Sequence, residues 1–353
     1  MKGLLKYLSP FAPDQSGATS VLYDLEGITV ICDAGGCTGN ICGFDEPRWF
    51  EHQSAIFSAG LRDMDAILGR DDRLVDKLKD TAQKVHAKFA AVIGTPVPAV
   101  IATDYRALER MGEKRCQMPV IAIECTGTRL YDEGEEETYL ALFRKFVKKD
   151  VERDDKAVGV IGMTPLDISL TQGDTFLQEK LQKEGFERIY SYGMGSGLEE
   201  VKLAGSVQKN LVVAPAGLKP AKYMEKHFGI PYEVTYPFLG ENFLNQLKQI
   251  SGKKVLIVHQ QVAANEIREN IRLSHKGEKM ELSVGTWFMQ PKDLKEEGDL
   301  VFKTEDGFIK HVEEEQYDVI IGDALLHRPL KEFKGIYISI PHFAVSGKLY
   351  DGR

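Results

Sequence analysis

Residues 28–42 read ITVICDAGGCTGNIC, so that an apolar run of four residues gives way to glycines and to three of the chain's five cysteines. Nearly continuous β-branched residues are typical of a parallel strand that is covered on both faces. Open α/β sheets place their sites at the carboxyl ends of such strands. Grouped thiolates beside a flexible turn are ligands for an iron–sulfur cluster or another soft metal, although free cysteine also packs as a small hydrophobe. The stretch therefore predicts a strand followed by a metal or redox site.

The same alternation of apolar runs and amphipathic stretches continues along the chain. The predicted strands are Ile28 to Ile31, Ala90 to Ile93, Val120 to Ile123, Val158 to Ile161, Leu211 to Val213, Val255 to Val258, Val319 to Ile321 and Gly335 to Ile340. The predicted helices include Asp71 to Phe89, Thr138 to Val147, Gln172 to Glu184, Ala221 to Phe228 and Ala263 to Arg272. Strands and helices in alternation indicate βαβ units and doubly wound sheets.

A chain of 353 residues is too long for one ordinary core. Residues 144–156 are rich in charge and precede a predicted strand, and Ser251-Gly252-Lys253-Lys254 precedes another. We read both as connections between units rather than as binding patches. The prediction is an α/β fold of three Rossmann-like units with parallel sheets flanked by helices, divided as 1–150, 151–250 and 251–353.

Composition narrows the function classes. The net charge of −8 argues against a nucleic-acid binder. No apolar run reaches the length of a membrane span and no secretory signal is recognisable, so a cytoplasmic protein is expected. In that compartment grouped cysteines indicate a metal or redox site rather than disulfides. The glycine-rich loops of nucleotide-binding proteins and the Gly-x-Ser-x-Gly elbow of serine hydrolases are absent from the sequence.

The cysteines rank as Cys37 first, Cys32 second and Cys42 third as metal ligands. Cys37 follows two glycines and is expected in the first turn of a helix, where the helix dipole lowers the pKa of a thiol. Cys42 lies five residues further, which predicts a different helical face. Cys125 ends another predicted strand and would face the same sheet edge, either as a cofactor ligand or as a buried thiol.

An acidic run and two histidines have structural interpretations. The acidic residues 132–137 read as the solvated start of a helix. His259 and His342 follow predicted strands and would line a cleft or pack as core residues.

Several segments, in this order, resemble the nitrogenase component 1 family, which includes the molybdenum–iron protein subunits and protochlorophyllide reductase. Gly17-Ala18-Thr19-Ser20-Val21 and the later Gly35-Gly36-Cys37 resemble its first unit, in which the turn presents a cluster cysteine. Lys226-His227-Phe228-Gly229-Ile230-Pro231 is similar to a family signature. The length is close to that of the nickel-sirohydrochlorin diamide reductive cyclases.

The resemblance also has gaps. Only Cys37 matches a family cluster ligand, because the stretches 9–14 and 95–96 and the vicinity of Val213 contain no cysteine. Cys32 and Cys42 are not family ligands and would have to compensate, or an aspartate such as Asp14 would supply an oxygen ligand. Dinitrogen reduction on an iron–molybdenum cofactor is therefore not expected.

The resemblance implies a reductase subunit. It would form a homodimer, or a heterodimer with a related subunit, and would hold an iron–sulfur cluster of the 4Fe–4S type at the interface through Cys37. Electrons would come from an ATP-hydrolysing iron-protein partner and pass to a tetrapyrrole or another small molecule. The candidate catalytic residues that would line the substrate cleft are Glu124, Thr126, Thr128 and Arg129. The alternatives are a non-catalytic scaffold or carrier for metallocofactor assembly, and a binding module without a cluster.

Overall fold

The computed structural model describes residues 5–351 and contains three parallel sheets. The strands are β1 (Ile28–Ile31), β2 (Ile56–Ser58), β3 (Ala90–Ile93), β4 (Val120–Ile123), β5 (Asp154–Ile161), β6 (Arg188–Tyr190), β7 (Val207–Val212), β8 (Tyr232–Val234), β9 (Lys254–Val258), β10 (Glu281–Thr286), β11 (Leu300–Val301), β12 (Val319–Gly322) and β13 (Ile336–Ser339). The first sheet has the order β2-β1-β3-β4, the second β6-β5-β7-β8 and the third β11-β10-β9-β12-β13. This arrangement confirms the predicted fold class. The division into units at residues 151 and 251 stays a prediction.

Helices connect and cover these strands. They are α1 (Asp14–Leu22), α2 (Gly36–Asn40), α3 (Asp63–Leu68), α4 (Asp71–Ala82), α5 (Pro96–Val100), α6 (Tyr105–Cys116), α7 (Tyr131–Phe146), α8 (Pro165–Ile168), α9 (Gly173–Lys183), α10 (Leu198–Lys202), α11 (Leu218–Phe228), α12 (Glu241–Leu247), α13 (Gln261–Ser274), α14 (Glu305–Glu315), α15 (Ala324–His327) and α16 (Phe343–Ser346). Among the helices between residues 5 and 351, none is both long and apolar enough to cross a membrane.

Every predicted strand occurs, within a few residues of its expected bounds. The sequence did not reveal β2, β6, β8, β10 and β11. All of these are edge strands except β10, which lies next to the edge strand β11. They are short or contain polar residues, since β6 reads Arg-Ile-Tyr and β10 begins Glu-Leu-Ser. The apolar-run criterion therefore finds the continuously apolar strands, which include the edge strands β4 and β13, and it misses strands that are short or contain polar residues.

Two helices differ from expectation. The predicted helix from Asp71 to Phe89 ends at Ala82, and the chain then turns back so that Phe89 is buried beside the start of β3. Helix α7 begins at Tyr131, seven residues before the predicted start, and so contains the acidic residues. The expectation of a solvated helix start is wrong for Asp132 and Glu135, which are both buried.

The first sheet separates two apolar cores. On one face Ile31, Ile93 and Ile123 pack against α1 and α7. On the other face Val30 and Val92 pack against α4 and α6. Because neighbouring residues of a strand point to opposite faces, Cys32, which follows Ile31 of β1, lies in the second of these cores.

Candidate functional site

The loops that follow β1, β2 and β3 meet at the carboxyl edge of the first sheet, because these strands are parallel neighbours. After β1, Gly35 adopts φ 120°, which favours glycine, and α2 begins at Gly36. The carboxylate of Asp33 accepts hydrogen bonds from the Thr38 amide (2.8 Å) and from the Ser58 hydroxyl (2.6 Å). These bonds fix α2, and with it Cys37, to the end of β2.

The cysteines of this region do not converge. Cys32 is fully buried in the core beneath α4 and α6. Cys125 is fully buried in the opposite core, against whose rim Cys37 and Cys42 pack half-buried. The strands that precede Cys37 and Cys125, β1 and β4, belong to one parallel sheet, so both cysteines follow its carboxyl edge. The sheet itself therefore lies between Cys32 and the other three thiols.

Burial raises the pKa of the Cys37 thiol, and the charge of Asp33 raises it further. The expectation of a lowered pKa is therefore wrong, since a helix of five residues has too small a dipole to overcome half burial beside a carboxylate. Burial likewise raises the pKa of Cys42, with Glu46 as the second cause. Both thiols are held neutral unless a metal replaces the proton.

One chain alone does not fit an iron–sulfur cluster with four protein ligands. Within residues 5–351 there is no group of three or more His, Cys, Asp or Glu side chains placed to hold a metal ion. Only Cys37 and Cys42 combine partial exposure with a common face. A complete donor set would therefore need ligands from a second subunit.

The surface around Cys37 has the composition of a contact surface. Gly36, Gly39 and Gly43 have open space where a side chain would begin, so no packing within the chain requires glycine there. Large apolar side chains are exposed in the segments that follow β1, β2 and β3, helices α3 and α5 included, namely Phe44, Phe50, Met64, Ile67, Leu68, Val97 and Val100. We call these residues, with Cys37 and Cys42, the Cys37 surface. Exposed apolar patches of this kind mark sites of protein–protein contact.

The candidate cleft residues form a turn after β4 that is organised by Asp14. The fully buried Asp14 carboxylate accepts from the amides of Thr126 (2.8 Å) and Gly127 (2.8 Å) and from Arg129 Nε (3.1 Å). It also accepts from the Gln15 amide and the Thr126 hydroxyl. Asp14 is thus occupied with positioning this turn, which contradicts the suggestion that it serves as an oxygen ligand.

Arg129 and the two threonines are bound within the same turn. Arg129 Nη1 and Nη2 donate to the two carboxylate oxygens of Glu137 at 2.6 and 3.2 Å, and Nη2 also donates to the Glu124 carbonyl oxygen. The hydrogen bond with Glu137 raises the pKa of Arg129 further above its ordinary value. The hydroxyls of Thr126 and Thr128 lie 2.9 Å apart.

Glu124 differs from these residues because its side chain is exposed at a cleft. The cleft has a volume of about 560 Å³ and lies along the open edge of β4, between α6 and α7. Its lining includes Glu124, Tyr105, Glu137 and Arg144. A neighbouring cavity of about 440 Å³ shares Glu137 and extends past Asp132 to Trp287, which directly follows β10. Glu124 therefore lines a cleft that borders a second cavity at Glu137.

Sequence reasoning missed two carboxyl groups in the interior, which lie near the two histidines that it had placed in a cleft or in the core. Glu135 on α7 and Asp167 on α8 are fully buried, and so are His259 and His342. The two carboxyl groups were missed because charged residues are expected to be solvated. The spacing of Tyr131, Glu135 and Tyr139 at four residues along one helix face was the available clue.

The similarity to known proteins covers most of the chain. The sequence model of the nitrogenase component 1 type oxidoreductase family matches residues 14–283. The nitrogenase iron-molybdenum cofactor biosynthesis protein NifE of Clostridium pasteurianum is 26% identical over 245 residues, which are 66% of this chain and 53% of that protein. The chain therefore spans about half the length of this relative.

The fold has solved counterparts. The structure of nitrogenase Cp1 at pH 6.5 superimposes with a TM-score of 0.70 at 14% identity and covers 97% of this chain and 86% of that chain. The structure of the same protein at pH 5 gives a TM-score of 0.69, also at 14% identity, and covers 97% and 85%. With the family match and the three parallel sheets, these findings establish that the chain belongs to the nitrogenase component 1 type oxidoreductase family.

Proposed function

We propose that this chain is a subunit of a nitrogenase-like reductase, and that it holds a metal–sulfur cluster at an interface with a second copy or a related subunit. The observation that carries the proposal is Cys37 itself, half-buried and fixed by Asp33 at the carboxyl edge of the first sheet. The second subunit would cover the Cys37 surface and complete the ligand set. When bound, the cluster would supply one-electron transfer. The chain's part is to position the Cys37 and Cys42 thiols and to exclude water around them.

The remaining reductase machinery belongs to the same proposal. Electrons would come from an ATP-hydrolysing iron-protein partner, and a small molecule or tetrapyrrole would bind in the cleft that Glu124 lines. Thr126, Thr128 and Arg129 would act on that cleft by positioning Glu124 rather than by contact. Cys32 and Cys125, which are fully buried, would stay outside the cluster. The protein would work in the cytoplasm.

The cluster assignment is tested by iron and acid-labile sulfide analysis after anaerobic purification and reconstitution. Cys37→Ala is expected to remove most of the bound iron, because it deletes the ligand that the interface is built around. Cys116→Ala is the matched control, since Cys116 is another half-buried cysteine but packs on the opposite core of the sheet. Stoichiometric iron that survives Cys37→Ala would refute the assignment. An iron-free wild-type protein after reconstitution would leave only a binding module without a cluster.

A charged substitution in the Cys37 surface tests the proposed subunit interface. Ile67→Asp is expected to raise the dissociation constant of the subunit complex at least about tenfold, because burying Ile67 contributes about 1.5–3 kcal/mol. Leu273→Asp on α13 is the control, as Leu273 is also a helical and exposed apolar residue but lies outside the Cys37 surface. Sedimentation equilibrium measures both. Equal weakening by both variants would contradict the proposed interface.

A second candidate function is a scaffold that carries a metallocofactor during assembly. The similarity to a NifE protein favours it, because that relative is a cofactor biosynthesis protein by name. Reconstituted protein separates the two functions. ATP-dependent electron exchange with an iron protein, followed by electron paramagnetic resonance, supports the reductase, and transfer of iron and sulfide to an acceptor protein supports the scaffold.

A further inference from the structure

The centre of the molecule contains a buried polar cluster that the proposed function does not use. Tyr131 and Glu135 belong to α7, Asp167 belongs to α8, and His342 directly precedes α16. None of the four is more than 1% exposed. Helix α7 leads from the first sheet to the second, α8 follows β5, and α16 follows β13 of the third sheet. The cluster therefore joins all three units.

A chain of hydrogen bonds connects these groups. The Tyr131 hydroxyl donates to Asp167 Oδ1 at 2.7 Å and accepts from His342 Nε2 at 2.9 Å. At the other end, the Thr164 hydroxyl donates to Glu135 Oε1 at 2.6 Å. His342 stacks on His259, with ring centroids 4.3 Å apart. These hydrogen bonds thus connect α7 and α8 with His342, which follows β13 of the third sheet.

One link in this chain requires a proton on a carboxyl group. Glu135 and Asp167 are in side-chain hydrogen-bonding contact. Yet Glu135 Oε2 and Asp167 Oδ2 are both buried and have no other hydrogen-bond partner. Two ionised carboxylates in contact would repel each other and would leave both oxygens unsatisfied. A single proton between them satisfies both.

The surroundings favour this proton. Burial raises the pKa of both carboxyls, and the charge of Asp167 is the second cause for Glu135. Burial lowers the pKa of His259 to about 4, and it lowers that of His342 well below its ordinary value, so both rings are neutral. The other titratable groups that face the cluster are Asp132, Tyr139, Tyr236 and Asp323. The positive charge of Arg48 opposes the rise in the pKa of Tyr139.

We propose that Glu135 and Asp167 share one proton, and that this proton latches the three units together, so that its loss at alkaline pH loosens the junction. Glu135 carries the proton and donates it to the Asp167 carboxylate, which Tyr131 stabilises from the other side. Deprotonation places two negative charges in an enclosed site whose other facing acids add to the repulsion. The latch does not depend on the cluster or on the subunit interface.

The sign of the pH dependence follows from proton binding. The unfolded chain, whose carboxyl pKa values are about 4, loses this proton at pH values where the native state still keeps it. The pair therefore stabilises the native state most at low pH, and its contribution to the free energy of unfolding decreases as the pH rises from about 4 through neutral. We expect the Tm of the wild-type protein to fall by about 3 °C or more between pH 6 and pH 8.5 from this pair.

The test compares Tm profiles of the full chain. Glu135→Gln keeps a donor to Asp167 but cannot deprotonate, so it is expected to remove this part of the decline. Glu133→Gln is the matched control, because Glu133 is an exposed glutamate two residues earlier on the same helix. Its profile should parallel the wild type. A Glu135→Gln profile that also parallels the wild type would overturn the proposal.

An infrared measurement keeps the proposal testable if Glu135→Gln fails to fold. Wild-type protein at pH 7 is expected to show the C=O stretch of a protonated buried carboxyl, shifted in D₂O. Asp167→Asn should abolish or shift this band, and Glu133→Gln should leave it unchanged. Absence of the band from the wild type would refute the shared proton.

Discussion

Replacing Gly134 with alanine is expected to lower the free energy of unfolding by about 3 kcal/mol or more, or to prevent folding. Helices α1 and α7 cross at their first turns with backbones in contact. A Cβ on Gly134 would lie 1.9 Å from the Asp14 carbonyl oxygen, and a Cβ on Gly17 would lie 1.9 Å from the Tyr131 carbonyl oxygen. No rotamer relieves a clash between a Cβ and a backbone atom, so the helices would have to separate.

Thermal unfolding followed by circular dichroism measures the effect. Gly17→Ala should be as damaging as Gly134→Ala, since the two glycines face each other's helix in the same way. Gly36→Ala is the control, because a Cβ there meets no atom within 4 Å. It should leave the Tm unchanged or raise it slightly through the higher helix propensity of alanine. A Gly134→Ala protein with the wild-type Tm would contradict the close crossing.

Replacing Asp14 with alanine is expected to cost about 3–5 kcal/mol of stability. The substitution leaves the Thr126 and Gly127 amides without their acceptor and removes the buried carboxylate that faces Arg129. Unpaired donors in a buried site incur their full desolvation cost. The turn that presents Glu124 to the cleft should lose its fixed geometry at the same time.

Denaturant unfolding and hydrogen exchange of the turn test this expectation. Asp63→Ala is the control, because Asp63 is also the first residue of a helix but is exposed. Loss of Asp63 should cost only the small contribution of a charge at a helix N-terminus, about 0.3–1 kcal/mol. If Asp14→Ala and Asp63→Ala were equally mild, the organising role of Asp14 would be wrong.

Local sequence patterns indicate the place of the candidate site but not its chemical state. Cys37 could be singled out because glycines and cysteines after an apolar strand form a local pattern. Its chemical state could not, since the thiol pKa depends on Asp33 and on burial that the spacing does not encode. The spacing ranked Cys32 second among the candidate ligands, yet a strand whose residues are all apolar gives no sign of which face each one occupies. Only the structure shows that Cys32 lies across the sheet from Cys37.

The sequence by itself predicted the continuously apolar strands, the α/β class and the family, and it singled out Cys37 as the first candidate for the site. These follow from local patterns: continuous apolar runs, glycine turns and ordered motifs. Only the tertiary structure decided that Asp14 organises the turn after β4, that Gly17 and Gly134 form a backbone contact, and that Glu135 and Asp167 meet in the interior. Each of these pairs joins residues more than thirty positions apart or from separate elements, so their chemistry is set by packing that no local pattern reports.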